Sequence, residues 1–279
     1  MSAFKSILLH LDASPRSEAR LRLTQELAAL HGARVTALYA STPGALNLPY
    51  AMAEGAGEAI ALLQQLDVDR RDDARRRFDR SNAEAASPMH WAELRNEPVV
   101  SGVAARALFA DLLVLGQYDP GEAWPRGVPA DFVQSVIIAS GRPALVFPFV
   151  DICATLGQNP LIAWKATREA AHAVSAALPM LQRAKQIHLT AAPEADGPGP
   201  RVEELIEYLR LHGVEAPIER HAPVPSASAG DGLLSLAADS GADLLVMGCY
   251  GHTRARELML GGASRMILKS MTLPVLLAH

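Results

Sequence analysis

The strongest constraint on the fold of this chain is an internal duplication. Residues 110–116 read Ala-Asp-Leu-Leu-Val-Leu-Gly, and residues 242–248 repeat them as Ala-Asp-Leu-Leu-Val-Met-Gly. A second pair of similar segments, Pro143–Val146 and Pro274–Leu277, closes the two copies. Self-similarity at a fixed spacing indicates that one structural plan is used twice.

Each copy alternates short apolar runs with amphipathic stretches that have a helical period. Short buried strands separated by helices predict parallel sheets with right-handed crossovers. The predicted class is therefore α/β, with two Rossmann-like domains, each a five-stranded parallel sheet with helices on both faces. The predicted strands are Lys5–Leu11, Arg34–Ala40, Met89–Leu94, Asp111–Leu115 and Pro143–Pro148, then Leu161–Trp164, Gln186–Ala191, Ala216–His221, Asp243–Met247 and Pro274–Ala278.

The boundary between the copies is placed in Phe149–Pro160, which has no clear period. We predict domains at residues 1–150 and 158–279, each long enough to bury a core. Ser14 and Thr167 are predicted N-caps of the helix after each first strand, and Gly32 is predicted to end the first helix.

Charge and hydropathy exclude several classes of function. The net charge of -4 gives no basic field for nucleic acid. Neither a signal peptide nor an apolar segment long enough to span a bilayer is recognised. We therefore expect a cytoplasmic protein without nucleic-acid or membrane partners. The basic run Arg75–Arg77 is expected to lie on a solvated helix face paired with aspartates, and Cys153 and Cys249 are expected to be ordinary small residues.

A glycine-bearing loop follows the fourth strand of the second copy. Gly248 and Gly251 come just after the predicted strand, and Gly261 and Gly262 precede a helical run. Glycine lets main-chain N–H groups approach a phosphate closely. A helix that begins near Ser264 would add its dipole at the same place. Two glycine pairs in this context favour a phosphate site over simple tight turns.

With these repeats and this loop, the chain resembles the universal stress protein family in its tandem form, over essentially its whole length. Nucleotide-binding members carry Gly, two residues, Gly, nine residues, then Gly followed by Ser or Thr. Gly248, Gly251 and Gly261 match that spacing. Gly262 departs from it, although Ser264 lies nearby to supply a hydroxyl.

The resemblance implies an adenine nucleotide alpha hydrolase-like fold and binding of ATP or AMP, with or without Mg²⁺. It also implies that Pro143–Pro148 and Pro274–Ala278 pair, so that the halves form a pseudo-twofold intramolecular dimer. Pairing of this kind covers otherwise exposed strand edges. A further homodimer remains open.

The two copies depart from the family pattern in complementary ways. The first keeps an acid, Asp12, at the end of its first strand, but Asp119 stands where Gly251 stands in the second copy, and Ala130 and Asp131 stand roughly where Gly261 and Gly262 stand. Carboxylates there would repel a triphosphate, so we expect no family-type ATP binding by the first copy. The second copy has Lys165 in place of the acid. Lysine cannot accept hydrogen bonds from adenine or ribose, which predicts altered selectivity.

The expected function is a stress protein that binds an adenine nucleotide mainly through its second domain. The alternative is an interaction scaffold in which neither site binds nucleotide. No catalytic residue or metal site is predicted: the glycines lack a following Gly-Lys-Ser/Thr, and no histidine pair has metal-binding spacing. A slow ATPase activity is left open. The predicted nucleotide site consists of Ala166, Thr167, Thr190, Met247, Gly248, Gly251, His252, Gly261, Gly262, Ala263 and Ser264.

Overall fold

The computed structural model describes residues 3–14, 16–44, 56–83, 85, 87–95, 97–121, 127–150, 155–192, 201–225, 229–249 and 262–279. Helices and strands alternate through these residues, which confirms the α/β class. The strands are β1 Ser6–Leu11, β2 Arg34–Tyr39, β3 His90–Glu93, β4 Leu112–Gly116, β5 Ala144–Phe147, β6 Pro160–Trp164, β7 Ile187–Ala191, β8 Ile218–His221, β9 Leu244–Gly248 and β10 Val275–Ala278. The helices are α1 Ser17–His31, α2 Ala56–Ala83, α3 Val99–Ala107, α4 Phe132–Ser140, α5 Arg168–Leu181, α6 Val202–Leu211, α7 Ala229–Asp239 and α8 Gly262–Ser270.

The chain forms two compact units. The first, Lys5–Ser140, contains the parallel strands β3-β2-β1-β4 in that spatial order. Its centre is formed by apolar strand residues such as Leu9, Leu38 and Leu113, which are fully buried. Continuous apolar strands of this kind are typical of parallel sheets covered on both faces.

The second unit consists of Gly141–His279 together with the start of the chain. Its strands follow the order β5-β10-β9-β6-β7-β8, and all pairs are parallel except that of β5 with β10. Leu145 of β5 lies opposite Leu276 of β10. The predicted pairing of the two closing strands is thus confirmed.

The helix ends show one difference from the sequence-based prediction. Thr167 caps α5 as predicted, since its hydroxyl accepts a hydrogen bond from the Ala170 N–H. Gly32 ends α1 with a φ of 63°, also as predicted. The prediction for Ser14 is correct only in part: its hydroxyl accepts a hydrogen bond from the Arg16 N–H at 3.3 Å, but the helix begins at Ser17, with Arg16 in the N-cap position. The Asp12 carboxylate accepts a bond from the Ser14 N–H and holds Ser14 in a turn before the helix.

The aspartate repeated in both copies ties the first and fourth strands together. In the first unit, the Asp111 carboxylate accepts bonds from the N–H groups of Lys5 and Ser6. In the second unit, Asp243 accepts bonds from Gln158 and Asn159, each at 2.9 Å. The duplicated motif therefore has a structural cause, because each aspartate fixes the register at which two parallel strands begin.

Two arginines of the basic run on α2 are paired with aspartates as expected, whereas the half-buried Arg77 donates to the Ala13 carbonyl. Arg75 forms an ion pair with Asp79, and Arg76 forms one with Asp73, all with largely exposed side chains.

Among the described residues, no helix combines the length and hydropathy required to cross a membrane.

Candidate functional site

The second unit has a topological switch at β6. This strand lies between β9 and β7, and the chain leaves it through α5 toward β7 but returns on the other side at β9. Connections that diverge in this way open a crevice at the carboxyl ends of the strands, where doubly wound folds bind ligands. Ala163 of β6 is in register with Met247 on one side and Thr190 on the other. The structure thus brings together predicted site residues from β7 and β9.

Gly248 lies at the end of β9, directly against the start of α5. A Cβ added at Gly248 would lie 2.4 Å from the Ala170 nitrogen and 2.6 Å from the Glu169 carbonyl carbon. Backbone cannot give way at such distances, so only glycine fits here. Gly248 therefore has a packing role, in addition to the close contact between main chain and phosphate that was predicted from the sequence.

The N-terminus of α5 is already satisfied by the protein itself. Thr167 caps it, and Glu169 in its first turn is only 3% exposed and is paired with Arg168. Burial raises the pKa of Glu169, but the hydrogen bonds from Arg168 and from the main chain outweigh it and leave the pKa lowered. This carboxylate stays ionised and occupies the positive end of the helix.

The start of α8 presents a different environment. Gly262 is exposed and has nothing within 4 Å of an added Cβ, Ala263 is half-buried, and Ser264 is buried. Gly251, His252 and Gly261 were predicted to complete this site, but they lie outside the described residues.

The remaining predicted residues lie on β7 and just after β6. Thr190 is buried, and its hydroxyl donates to the Ala222 carbonyl at 3.0 Å, so that donor is already used inside the protein. Ala166 and Thr167 follow β6 and are half-buried. Lys165, the residue that replaces the family's acid, is also half-buried at this edge.

Cys249 follows Gly248 and is chemically inert. Its thiol is 1% exposed and lies 3.3 Å from the Ala278 carbonyl oxygen. Burial, with a smaller contribution from Glu169, raises the pKa of Cys249 to about 12. The thiol stays protonated at neutral pH and is a packing residue, as expected. Cys153 lies outside the described residues.

The first unit contains a cavity of about 190 Å³ at the carboxyl ends of β1, β2 and β4. Its lining is mostly polar and carries more acids than bases. The polar and aromatic lining residues include His10, Asp12, Tyr39, Asp67, Arg70, Asp73, Gln117, Asp119 and Phe132.

Two carboxylates of this cavity are paired with arginines from α1 and its N-terminus. Asp12 lies 2.7 Å from Arg20, and Asp119 is paired with Arg16. Burial raises the pKa of each carboxyl, but the arginines outweigh it and lower both pKa values. Asp119, one of the two carboxylates predicted to repel a triphosphate, is therefore offset by Arg16, and the retained acid Asp12 is offset by Arg20.

Arg20 also fills space beside the strand end. A Cβ added at Gly116 would lie 1.5 Å from an Arg20 guanidinium nitrogen. In the second unit the equivalent glycine, Gly248, contacts helix backbone instead. The two copies have thus kept the same glycine for different packing partners.

His10 stands on β1 at the wall of the same cavity. Its Nε2 lies 2.9 Å from the Ala40 carbonyl oxygen, which can only accept, so Nε2 carries the proton. Burial lowers the pKa of His10 more than Asp12 raises it. The imidazole is neutral and acts as a buried hydrogen-bond donor.

One cluster was not found from the sequence. His188, Glu219 and His221 have ligand atoms that all lie within 4.8 Å of one another. His188 and His221 are far apart in the chain, so a search for local metal-binding spacing passes over them. The available signal was Glu219-x-His221 on a predicted strand, because side chains two residues apart share one face of a sheet.

Residues 162–279 match the universal stress protein family along this entire stretch. Residues 162–279 belong to the universal stress protein family. The fold of the whole chain agrees with that assignment and with the predicted tandem form. A universal stress protein from Archaeoglobus fulgidus DSM 4304 has a TM-score of 0.70 at 13% identity, over 98% of this chain and 95% of its own.

Two structures from Pseudomonas aeruginosa have the same fold. A putative universal stress protein from strain UCBPP-PA14 has a TM-score of 0.55 at 16% identity, over 99% of this chain and 93% of its own. A protein of unknown function from strain PAO1 has a TM-score of 0.57 at 16% identity, over 99% and 92%. No curated protein gives a significant match to the sequence.

Proposed function

We propose that this universal stress protein binds an adenine nucleotide, ATP or AMP, at the carboxyl edge of the second unit's sheet. The proposal rests on the switch point at β6 and on Gly248, which ends the neighbouring strand β9. The glycine spacing found in the sequence begins at this residue. Crevices at switch points are the usual nucleotide sites of doubly wound sheets.

The phosphates are placed at the start of α8 and not of α5. Glu169 and Thr167 already satisfy the N-terminus of α5, and the buried carboxylate would repel a second anion. Gly262 at the start of α8 is exposed and has no side chain to hold a phosphate away. Main-chain N–H groups and the helix dipole favour an anion there.

Lys165 gives the site its expected selectivity. It follows β6 at the switch point and carries a positive charge where an acid would hydrogen-bond the nucleoside. We expect Lys165 to attract phosphate oxygens and to contribute little to recognition of adenine or ribose. The proposed activity is ligand-dependent stabilisation, without rapid turnover.

Replacing Gly251 with aspartate is expected to weaken ATP binding at least about fivefold, because a carboxylate near the phosphates is repelled by roughly 1–4 kcal/mol. Calorimetric titration of ATP into wild type and Gly251→Asp measures this. The matched control is Gly57→Asp, which adds the same charge on α2 of the first unit, where an added Cβ meets nothing within 4 Å.

Equal ATP affinity in wild type and Gly251→Asp would remove the glycine loop from the account. The alternative function is an interaction scaffold that binds no nucleotide. In the first unit this alternative is favoured, because the cavity's carboxylates Asp12 and Asp119 are already paired with arginines of the protein. A native mass spectrum without nucleotide, together with no thermal shift in ATP or AMP, would support the scaffold for the whole chain.

A further inference from the structure

We propose that His188, Glu219 and His221 form a binding site for a divalent transition-metal ion, with Zn²⁺ as the ion that fits best. The site lies on β7 and β8, at the outer edge of the second unit's strand order. It is independent of the nucleotide proposal, because all three ligands come from the protein and none is a predicted nucleotide contact.

The strand register fixes the three side chains on one face. His188 of β7 lies opposite Glu219 of β8, and Thr190 lies opposite His221. Side chains two residues apart on a strand point the same way, so Glu219 and His221 both face His188. Arg220 between them points to the other face and is paired with Glu203. The cationic guanidinium is thereby held away from the cluster.

The distances within the cluster approach those of a loaded site. The Nδ1 atom of His188 lies 3.0 Å from Nε2 of His221 and 3.4 Å from a Glu219 carboxylate oxygen. In a tetrahedral zinc site with bonds of about 2.0–2.1 Å, neighbouring ligand atoms lie about 3.3 Å apart. The ligand atoms of Glu219 and His221 lie within 4.8 Å of each other, so these two side chains would have to approach by up to about 1.5 Å to hold one ion with His188. Two histidines and one glutamate leave a fourth position for water or another ligand.

Burial and charge also suit a metal ion. The His188 side chain is 8% exposed and is held by its surroundings, whereas Glu219 is 56% exposed and gives access from solvent. The Glu219 carboxylate also supplies a negative charge that offsets part of the charge of a divalent ion.

The competing explanation is a hydrogen bond between two neutral imidazoles, in which one ring donates and the other accepts. In that arrangement a proton, and not a metal ion, lies between the two ring nitrogens, which are 3.0 Å apart. It gives no role to Glu219 as a ligand. The two explanations therefore differ in whether replacing Glu219 changes the affinity for Zn²⁺.

The test is a calorimetric titration of Zn²⁺ into the full chain after treatment with a chelator, without nucleotide. We expect one site per chain, and at least a tenfold loss of affinity in each of His188→Gln, Glu219→Gln and His221→Gln. The matched control, His90→Gln, replaces an exposed histidine on β3, the outer strand of the first unit's order, and should bind like wild type.

Co²⁺ provides a second readout, because tetrahedral coordination by nitrogen and oxygen gives intense visible absorption. This absorption should appear in wild type and His90→Gln and be lost in Glu219→Gln. Because Glu219 is exposed, its replacement leaves folding intact, which circular dichroism verifies. Absence of one-to-one Zn²⁺ binding, or wild-type Zn²⁺ affinity in Glu219→Gln and His221→Gln, overturns the proposal.

Discussion

Replacing Arg20 with leucine is expected to lower the free energy of unfolding by about 3 kcal/mol. Removing one partner of a buried ion pair leaves the other charge uncompensated, which costs about 3–5 kcal/mol. The lower value of this range applies because the Asp12 side chain is still 21% exposed to solvent, whereas the Arg20 side chain is 6% exposed. Urea denaturation followed by circular dichroism measures the change.

The effect of Arg20→Leu should depend on pH. In wild type the pKa of Asp12 is lowered, so its stabilising contribution is present above the unfolded value of about 3.9 and is lost as pH falls through the folded value. In the variant, burial is no longer opposed by the Arg20 guanidinium, although the Ser14 N–H bond remains, so the pKa of Asp12 is expected to rise from its wild-type value. The difference in stability between the two proteins should therefore be largest above about pH 5 and shrink toward pH 4.

Arg22→Leu on the same helix is the matched control. Arg22 forms an exposed pair with Glu26, with side chains 56% and 53% exposed, so its loss should change stability by less than about 0.5 kcal/mol. The double variant Arg20→Leu with Asp12→Asn should regain part of the lost stability. An Arg20→Leu protein as stable as Arg22→Leu at pH 7 would show that the Asp12 pair contributes nothing.

Replacing Asp243 with alanine is expected to cost about 3 kcal/mol as well. Its carboxylate is 3% exposed and accepts two main-chain bonds at the start of β6. Hydrogen bonds to a charged group contribute about 1.5–3 kcal/mol each, and the main-chain donors left buried without a partner are costly. The free energy of unfolding of the variant is measured in urea.

The duplication supplies the control for Asp243→Ala. Asp111 makes the same two bonds in the first unit but is exposed, so water replaces the carboxylate in Asp111→Ala. We expect a loss of only about 0.5–1.5 kcal/mol there. Asp243→Asn keeps one acceptor oxygen, so its loss of stability should lie between the losses of Asp243→Ala and Asp111→Ala. Equal losses for Asp243→Ala and Asp111→Ala would contradict the role assigned to burial.

The fold was predictable because its signal is local and is repeated. Apolar runs bounded by Gly, Pro or cap residues predicted all the strands within one or two residues of their observed ends. The comparison of the two copies strengthened each prediction. The start of α1 was placed too early, because the Asp12 carboxylate accepts a bond from the Ser14 N–H two residues on and forms a turn there, a local preference of aspartate that the prediction did not use.

The candidate sites were less predictable, because they depend on contacts between distant residues. The sequence showed Asp12 and Asp119 as two negative charges, but not that Arg20 and Arg16 are placed to pair with them. Likewise, the pairing of His188 with His221 follows from the register of β7 and β8, which is set by packing across the sheet. Register of parallel strands has no short-range signal comparable to a hairpin turn.

Nucleotide binding is proposed at the switch point of the second unit. Photolabelling with 8-azido-ATP, followed by mass spectrometry of the peptides, tests it most directly. We expect ATP-protectable label in peptides that contain the ends of β6, β7 or β9, near Lys165, Thr190 or Gly248. Label confined to the cavity of the first unit, in peptides that contain Asp12 or Tyr39, would contradict it.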